Sequence, residues 1–158
     1  MLCYSVVQPH PDFPLRLVAS GDALLRLDLD DLRPDPAWSR DDHHPVLSEA
    51  RRQLELYFQG QLRHFDLPLQ PKGTPFQRRV WRALAEIPYG QTCSYAELAR
   101  RLQPPSVARA VGQANGANPI GIIIPCHRVI AYDGKLGGYG PGLHRKRFLL
   151  DLEKRAAP

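Results

Sequence analysis

Hydrophobic and polar positions in the first 70 residues predict a small sheet followed by one helix. Residues 30–44, rich in Pro, Asp and His, are expected to be a loop. Apolar residues then recur at the helical period over Val46–Gln59, and Phe65, Leu67 and Leu69 alternate as in a half-buried strand. Earlier strands are expected at Leu2–Gln8, at Leu15–Ala19 and at Ala23–Leu29, with the hairpin sequence Ser20-Gly21-Asp22 between the last two.

After Pro71-Lys72-Gly73 the pattern becomes mostly helical. Thr74 and Ser94 each precede a helical pattern and have Gln or Glu three residues later, which predicts two capping boxes. Helices are expected from Thr74 to the turn at Pro88-Tyr89-Gly90, at Tyr95–Leu102, at Val107–Asn115 and at Leu143–Arg155. For the helix at Val107–Asn115, Ser106 is expected to be the cap and Val107 to be buried. The whole pattern predicts a mixed α/β (α+β) protein, with an α/β domain over residues 1–70 and a mostly helical domain over residues 74–155.

Two of these helices form a pattern found in nucleic-acid-binding proteins. Tyr95–Leu102 and Val107–Asn115 are joined by a tight turn, as in a helix-turn-helix, and Arg109 lies outside the buried set. Charge supports this interpretation: residues 1–70 hold seven basic and eleven acidic residues, whereas residues 71–158 hold fourteen basic and five acidic ones. A basic half favours a polyanionic partner such as DNA, and an ordinary basic surface is the alternative.

A cysteine with reactive neighbours follows the most apolar run of the chain. Ile120–Ile124 predicts a buried strand that ends at Pro125-Cys126-His127-Arg128-Val129. Short arms are expected at Val129–Ala131 and Lys135–Gly137, on either side of the hairpin signal Asp133-Gly134. The glycine-rich residues 137–142 that follow lack the spacing of a phosphate-binding loop. Core strands do not normally end in Cys-His-Arg, so this segment is the candidate reactive site.

Composition narrows the classes of protein that the chain can belong to. At 158 residues and 43% hydrophobic, it can bury a core as one domain or as two small ones. No signal peptide is expected, and no apolar segment approaches the ~20 residues needed to span a bilayer. An odd number of widely spaced cysteines argues against a disulfide framework and favours a reducing, cytoplasmic location.

Cys126 admits three interpretations. A buried and inert thiol is common, and we assign Cys3 and Cys93 to that class. A metal site is poorly supported, because no C-x-x-C or H-x-x-x-H is present, although Cys3, His43 and His44 offer possible zinc ligands. A nucleophile is the third interpretation: His127 would be its base, and Glu153, Glu97 or Asp151 would orient the imidazole, with spacing alone unable to choose among the acids.

With these residues identified, the chain resembles the O6-alkylguanine-DNA alkyltransferase family, the methylated-DNA–protein-cysteine methyltransferases. The resemblance covers roughly Thr74 to Glu153, and the first half resembles the family's ribonuclease H-like N-terminal domain only in length and element order. It rests on motifs in the family's order: Ser94-Tyr95-Ala96-Glu97-Leu98-Ala99, Ala108-Arg109-Ala110-Val111-Gly112, Gly116-Ala117-Asn118-Pro119, Pro125-Cys126-His127-Arg128-Val129, and Gly138-Tyr139 followed by Arg145-Lys146-Arg147-Phe148-Leu149-Leu150.

The resemblance implies a role for each residue of the reactive site. Cys126 would accept the alkyl group of a flipped O6-alkylguanine irreversibly, and less surely that of O4-alkylthymine. His127 would deprotonate the thiol through a water, and Glu153, at the family's separation from Cys126, would hold His127. Asn118 would brace the turn around the cysteine, and Tyr95 would donate a proton or hydrogen bond to the leaving guanine.

The resemblance also implies how DNA would be bound. A winged-helix-like domain would present the helix-turn-helix to the minor groove of double-stranded DNA, with Tyr95, Ala96 and Ala108 at the contact and Arg109 filling the space left by the flipped nucleotide. Val129 and Tyr139 would line the base pocket, and Gly140, where many relatives have a larger residue, would widen it. No metal or organic cofactor is implied, and the protein would act as a monomer, with cooperativity on DNA left open.

Two rival functions remain at this point. One is a DNA-binding module whose Cys126 senses alkylation or oxidation without repair. The other is a Cys-His-Glu hydrolase that acts on amides or thioesters. A hydrolase would turn over, whereas an alkyl acceptor would react once per molecule. The sequence does not reveal the range of alkyl sizes or the role of the acidic first half.

Overall fold

The computed structural model describes residues 1–156, and within them the chain forms two compact units that meet between Lys72 and Gly73 in the sequence. The first unit has a sheet with one helix, and the second is mostly helical. The predicted mixed α/β fold class is therefore confirmed. Within the described residues, no helix is long and apolar enough to cross a membrane. No group of three or more His, Cys, Asp or Glu side chains in that range could hold a metal ion.

The first unit is a four-stranded sheet with the order β3-β2-β1-β4. Three antiparallel strands, β1 (Cys3–Val7), β2 (Leu15–Ala19) and β3 (Leu24–Leu29), form most of it, and β4 (Ser39–Arg40) pairs in parallel with β1. Helix α1 (Pro45–Phe58) packs on β1 and β2. Its apolar stripe and one sheet face form the core, which includes Phe13, Leu15, Leu17, Leu47, Leu54 and Tyr57.

Two expectations for the first unit were wrong. The alternating segment Phe65–Leu69 is not a strand: only Leu69 forms a bridge, with Leu24. Pro68 has no N–H to donate, so this short segment has little capacity for pairing with another strand. Three alternating apolar residues were therefore too weak a signal to predict a strand. The predicted loop over residues 30–44 contains β4, whose exposed, polar residues show no strand pattern.

The second unit arranges its helices around one short parallel strand pair. Its strands are β5 (Cys93–Ser94) and β6 (Val129–Ile130), so the predicted arm at Lys135–Gly137 is not a strand and β6 pairs with β5 instead. The capping boxes at Thr74 and Ser94 are confirmed. Its helices are α2 (Pro75–Ala85), α3 (Tyr95–Arg101), α4 (Ala108–Gly116) and α5 (Leu143–Ala156).

The N-terminus of α4 differs from the prediction. Val107, not Ser106, occupies the N-cap position, and a valine side chain has no acceptor for the first N–H groups of a helix. Val107 is also 65% exposed rather than buried. The physical reason is that the Ser106 N–H bonds to the Ala99 carbonyl of α3, so the helix begins later than the capping residue type suggested.

The largest correction concerns Ile120–Ile124, which is a turn and not a strand. All but Gly121 of this run are buried, as expected of apolar residues, but a short apolar run does not distinguish a strand from a buried turn. The chain then enters a single 3₁₀ turn, Cys126–Arg128, whose three residues are all buried. This turn packs against α5 and α2.

Candidate active site

Cys126 follows a compact turn that the side chain of Asn118 holds together. Asn118 accepts a hydrogen bond from the Ile120 N–H at 3.0 Å and donates one from Nδ2 to the Ile124 carbonyl at 2.8 Å. The Ile124 N–H donates in turn to the Ile120 carbonyl at 2.9 Å. One amide side chain therefore fixes both ends of the segment that leads to Pro125 and Cys126.

Two three-residue γ-turns shape the backbone of this segment. The first is centred on Ile122, whose φ of +70° lies in the left-handed region that β-branched residues rarely adopt. Such a conformation costs about 1–3 kcal/mol, and the side chain is only 1% exposed, so packing holds it. The second turn is centred on Pro125 (φ −82°, ψ 64°) and lets the Cys126 N–H donate to the Ile124 carbonyl at 2.8 Å.

Cys126 is buried, with only 7% of the residue exposed. Burial raises the pKa of this thiol above its usual value, while a hydrogen bond with Asn118 and the positive charge of Lys146 act in the opposite direction. The net direction is upward, so the resting group is a thiol rather than a thiolate. It needs a base to become a nucleophile.

His127, the next residue along the chain, is completely buried. Its Nε2 is 2.6 Å from Oε2 of Glu153. An ionised carboxylate can only accept a hydrogen bond, so Nε2 carries the ring proton and Nδ1 keeps its lone pair. Nδ1 has no hydrogen-bond partner within residues 1–156. The imidazole is therefore arranged to accept a proton at Nδ1.

The charge states of this pair follow from its surroundings. Burial would raise the pKa of Glu153, but hydrogen bonds and charge attraction from His127 and Arg128 outweigh it and lower that pKa to about 2. Burial lowers the pKa of His127; Glu153 opposes that effect, and the charges of Arg128 and Lys146 add to it. At neutral pH the pair is a carboxylate and a neutral imidazole.

Lys146, on α5, is the second cation of the site, and its residue is 0% exposed. Its Nζ donates to the carbonyls of Val129, at 2.6 Å, and Gly138, at 3.1 Å. Burial lowers the pKa of Lys146 to about 8, and the negative charge of Cys126 acts against this once the thiolate forms. Lys146 therefore ties β6 to the glycine-rich loop and brings positive charge close to the sulfur.

Two tyrosines lie near the same sulfur. Burial raises the pKa of both Tyr95 and Tyr139, and negative charge on Cys126 adds to this once the thiolate forms, so both phenols stay protonated and able to donate a hydrogen bond. Lys146 Nζ lies 6.0 Å from the centre of the Tyr95 ring. Gly137 (φ +72°) approaches that ring so closely that an added Cβ would lie 3.2 Å from Cε2 of Tyr95. The loop backbone thus packs directly on Tyr95.

The remaining predicted pocket and DNA-contact residues differ in their exposure. Val129 is 0% exposed and lies in β6, next to the 3₁₀ turn. Gly140 is exposed, and a Cβ added there would meet no described atom within 4 Å. Ala108 and Arg109 are exposed in the first turn of α4, whereas Ala96 in α3 is half-buried.

Of the three candidate acids, Glu153 contacts His127, while the other two lie elsewhere. Glu97 closes the capping box of α3 with Ser94. Asp151 is exposed on α5. Helical spacing explains the difference, because positions 151 and 153 of one helix face directions about 200° apart.

Three further residues of the site were not predicted to take part in it. Arg128 donates to both oxygens of Glu153, Lys146 donates to two backbone carbonyls, and Asn115 Nδ2 lies 3.4 Å from the Cys126 carbonyl. Lys146 lies three residues before Leu149 on the inward stripe of α5, and a charged residue at such a position is the signal that could have identified it. No signal in the sequence distinguishes Asn115 from an exposed helical residue.

Comparisons with known proteins identify the family of the chain. The sequence matches "6-O-methylguanine DNA methyltransferase, ribonuclease-like domain" over residues 4–71 and the corresponding "DNA binding domain" over residues 75–155. The methylated-DNA–protein-cysteine methyltransferase of Mycobacterium bovis is 50% identical over 161 residues, covering 100% of this chain and 96% of the relative. That of Haemophilus influenzae is 44% identical over 154 residues, covering 96% and 86%.

Solved structures give the same result. Mycobacterium tuberculosis OGT in complex with DNA superposes with a TM-score of 0.89 at 49% identity, covering 99% of this chain and 95% of that one. The O6-methylguanine-DNA methyltransferase of Pyrococcus kodakaraensis, with a TM-score of 0.56 at 21% identity, shares the fold. The chain belongs to the methylated-DNA–protein-cysteine methyltransferase family, which confirms both the resemblance and the enzyme class inferred from the sequence.

Proposed function

We propose that the protein repairs DNA by transferring the alkyl group of O6-alkylguanine to the Sγ of Cys126. The observation that carries this proposal is the arrangement of the imidazole that follows Cys126 in the chain. A neutral imidazole presents an unpartnered Nδ1, and its Nε2 is fixed 2.6 Å from the Glu153 carboxylate. A thiol, a base and a group that orients the base are the parts that a cysteine nucleophile requires.

The reaction begins with proton transfer from the thiol of Cys126 to Nδ1 of His127, directly or through one water. Glu153 stabilises the imidazolium that forms. The thiolate then attacks the carbon attached to O6, the C–S bond forms, and the C–O bond breaks with its electron pair moving to the guanine. Tyr95, whose phenol stays protonated, donates a proton or hydrogen bond to the leaving base. The adjacent charge of Lys146 favours the thiolate.

The product is a thioether, which is far more stable than a thioester. No step in this scheme returns the thiol, because a C–S bond of this type is not hydrolysed at neutral pH. Each protein molecule is therefore expected to react once, and the sulfur is a reactant rather than a recycled catalyst.

The target atom must leave the duplex to reach a sulfur this deeply placed. Flipping a nucleotide costs a few kcal/mol, and less for a damaged pair. Arg109 is exposed in the first turn of α4, where its side chain can occupy the vacated space, and the neighbouring Ala108 allows close approach in the minor groove. Arg109→Ala should slow repair of duplex DNA far more than reaction with free O6-benzylguanine, and equal losses would contradict this role.

A labelled-transfer experiment tests the central proposal. An excess of duplex DNA that carries O6-methylguanine with a radiolabelled methyl group is mixed with the protein, and the label is located by peptide mapping. We expect at most one equivalent per protein, all of it on Cys126. Cys126→Ser should bind the DNA without acquiring label, and Cys3→Ser, which alters another free cysteine, should react normally.

The same experiment separates the rivals. A sensor without repair activity would leave the label on the DNA. A hydrolase would release product repeatedly from its own substrates and would not retain the methyl group. Three free cysteines suit a reducing cytoplasm, where we place this function.

A further inference from the structure

Arg128, the residue after the candidate base, donates hydrogen bonds from three nitrogens. Its Nε lies 2.7 Å from Oε1 of Glu153, its Nη2 lies 3.1 Å from Oε2, and its Nη1 donates to the Ile87 carbonyl at 2.7 Å. The residue is only 7% exposed, and its guanidinium lies 5.6 Å from the centre of the Tyr89 ring. A planar guanidinium engaged at three nitrogens has one orientation, so it also fixes the carboxylate.

The Oε2 atom of Glu153 is shared between Arg128 and His127. At this oxygen Nη2 of Arg128 and Nε2 of His127 both donate, at 3.1 and 2.6 Å. The guanidinium and the carboxylate cancel each other's charge, and a neutral imidazole completes a buried group with no net charge. This is the arrangement that costs least away from water.

Removing the guanidinium would change that balance. A buried carboxylate without Arg128 would face the imidazole as its nearest ionisable donor, and an uncompensated buried charge is strongly unfavourable. The carboxylate would then draw a proton onto His127, and an imidazolium has protons on both ring nitrogens. Such a ring cannot accept the proton of Cys126, so the relay would stop at its first step.

We propose that Arg128 is a positioning residue that keeps His127 neutral, with its proton on Nε2 and its Nδ1 open to the thiol. The resting form of His127 is a property of the protein alone, and only its use in alkyl transfer rests on the proposed function. The paired cation therefore does more than hold the fold together, since it sets the protonation state of the base.

Burial, the largest cause, and a second cation, Lys146, act on His127 in the same direction as Arg128. Glu153 raises the pKa of His127, whereas burial, Arg128 and Lys146 lower it. Lys146, which comes from α5, donates to the carbonyls of Val129 and Gly138, which are backbone groups and leave the carboxylate to Arg128. Cys126 is neutral in the resting state. On α2, which also packs against the 3₁₀ turn, Arg78 and Arg82 are exposed and Arg79 donates to the Pro104 carbonyl.

Nitrogen-15 NMR of the histidine rings tests the proposal without any alkyl substrate. In the wild type we expect the His127 ring to show a protonated Nε2 and an unprotonated Nδ1 throughout the neutral pH range. In Arg128→Gln the midpoint of the His127 titration should rise by at least about one pH unit. Arg128→Lys, which keeps the charge, should retain the neutral ring, and Arg147→Gln, an exposed arginine of α5, should match the wild type.

The kinetic counterpart uses free O6-benzylguanine, which needs no DNA contact. In Arg128→Gln, the low-pH limb of the rate profile should shift to higher pH. At pH values below both midpoints, a midpoint that is higher by about one pH unit should slow the reaction about tenfold. Arg128→Lys should keep the limb in place. A purely structural role would instead lower the rate equally at every pH, which would overturn the proposal.

The wild-type protein provides a test even if a variant fails to fold. A wild-type His127 that carries protons on both nitrogens at neutral pH would refute the proposal without any substitution. An unchanged titration midpoint in folded Arg128→Gln would do the same. If every protein shows the expected titration yet none transfers an alkyl group, the proposed function fails and the role of Arg128 stands.

Discussion

At the scale of single residues, Lys146 shows how the site reconciles burial with charge. A lysine without solvent exposure normally loses its proton, and burial here lowers its pKa only to about 8. Two backbone carbonyls accept from Nζ, and negative charge on the nearby sulfur opposes deprotonation once the thiolate forms. The Lys146 ammonium is therefore close to losing its proton in the resting state. The Cys126 thiolate, once formed, supplies the negative charge that balances it.

Lys146→Met should therefore make Cys126 a weaker acid. An adjacent opposite charge typically changes a pKa by about one or more, so we expect about tenfold less thiolate, and about tenfold slower reaction with O6-benzylguanine, at neutral pH. Alkylation by iodoacetamide as a function of pH measures the thiol directly, with the half-exposed Cys3 as an internal reference. If the pH profile of Cys126 alkylation were unchanged in Lys146→Met, Lys146 would act on the site only by holding the glycine-rich loop.

Glu153 links the same cluster to stability. Its folded pKa of about 2 lies below the ordinary value of 4.5, so the folded state binds the proton less well than the unfolded state. The resulting stabilisation is fully present above about pH 4.5 and is lost as the pH falls towards 2; it amounts to about 3 kcal/mol. Urea unfolding across this range should show the decline.

Glu153→Gln provides the control for that experiment. Glutamine has nearly the same shape but no carboxylate to titrate, so the part of the pH dependence that belongs to position 153 should disappear. The other acidic residues remain in the variant and account for whatever slope is left. A slope identical to that of the wild type would mean that Glu153 is not the group responsible.

At the scale of secondary structure, α4 begins without a side-chain cap. Helices prefer Ser, Thr, Asp or Asn at the N-cap, where a side-chain oxygen accepts from an otherwise unbonded N–H. Here the N-cap is Val107, which has the extended backbone of a normal cap (φ −111°, ψ 152°) but an apolar, 65% exposed side chain. The first turn of the helix that carries Arg109 is therefore less stable than it would be with a capping side chain at position 107.

Val107→Thr should stabilise the protein, because threonine has the shape of valine and adds a hydroxyl in position to accept from the first turn. The expected gain in the free energy of unfolding is about 1 kcal/mol, measured by urea denaturation. Val107→Ala is the matched variant that shortens the side chain without adding an acceptor. Equal stability of the threonine and alanine variants would show that the hydroxyl makes no cap.

The elements that the sequence predicted well are those in which several local signals agree. Both capping boxes combine a capping residue, a partner three positions later and a helical apolar period, and both are present at Thr74 and Ser94. Ile120–Ile124 offered only apolarity, which reports burial and not conformation. The left-handed Ile122 is fixed by Asn118 and by packing, neither of which a local pattern contains.

The residues of the site show the same contrast between local sequence signals and long-range packing. Spacing alone left Glu153 as one of three candidate acids for His127, and the family resemblance selected it. The structure explains the choice, because Asp151 points another way on α5 and Glu97 belongs to the capping box of α3. Arg128 was visible in the sequence as a neighbour of His127, but its bonds to a helix that begins 15 residues later depend on tertiary packing. Long-range contacts of this kind are not encoded in spacing.

At the scale of the whole molecule, positive charge is concentrated in the second unit. Residues 71–158 hold fourteen basic and five acidic residues, against seven and eleven in residues 1–70. Each phosphate that a basic side chain neutralises releases counterions, so binding to DNA should weaken steeply with salt and depend little on sequence.

Arg100→Gln tests this at an exposed arginine of α3. If Arg100 contacts a phosphate, the slope of log affinity against log salt concentration should fall in magnitude by about one, uniformly across DNA sequences. Arg33→Gln, an exposed arginine of the first unit, should leave the slope unchanged. The measurement is a fluorescence anisotropy titration at several salt concentrations, and a change of slope in Arg33→Gln instead would move the DNA contact to the other unit.

The γ-turn at Pro125 bears on the choice between an alkyl acceptor and a hydrolase. Enzymes that cleave amides or thioesters form a tetrahedral oxyanion, which backbone N–H groups, commonly including that of the nucleophile itself, must stabilise. Here the Cys126 N–H already donates to the Ile124 carbonyl at 2.8 Å. Displacement at a saturated carbon forms no oxyanion of that kind. The backbone that positions this sulfur therefore suits attack on an alkyl group better than attack on a carbonyl group.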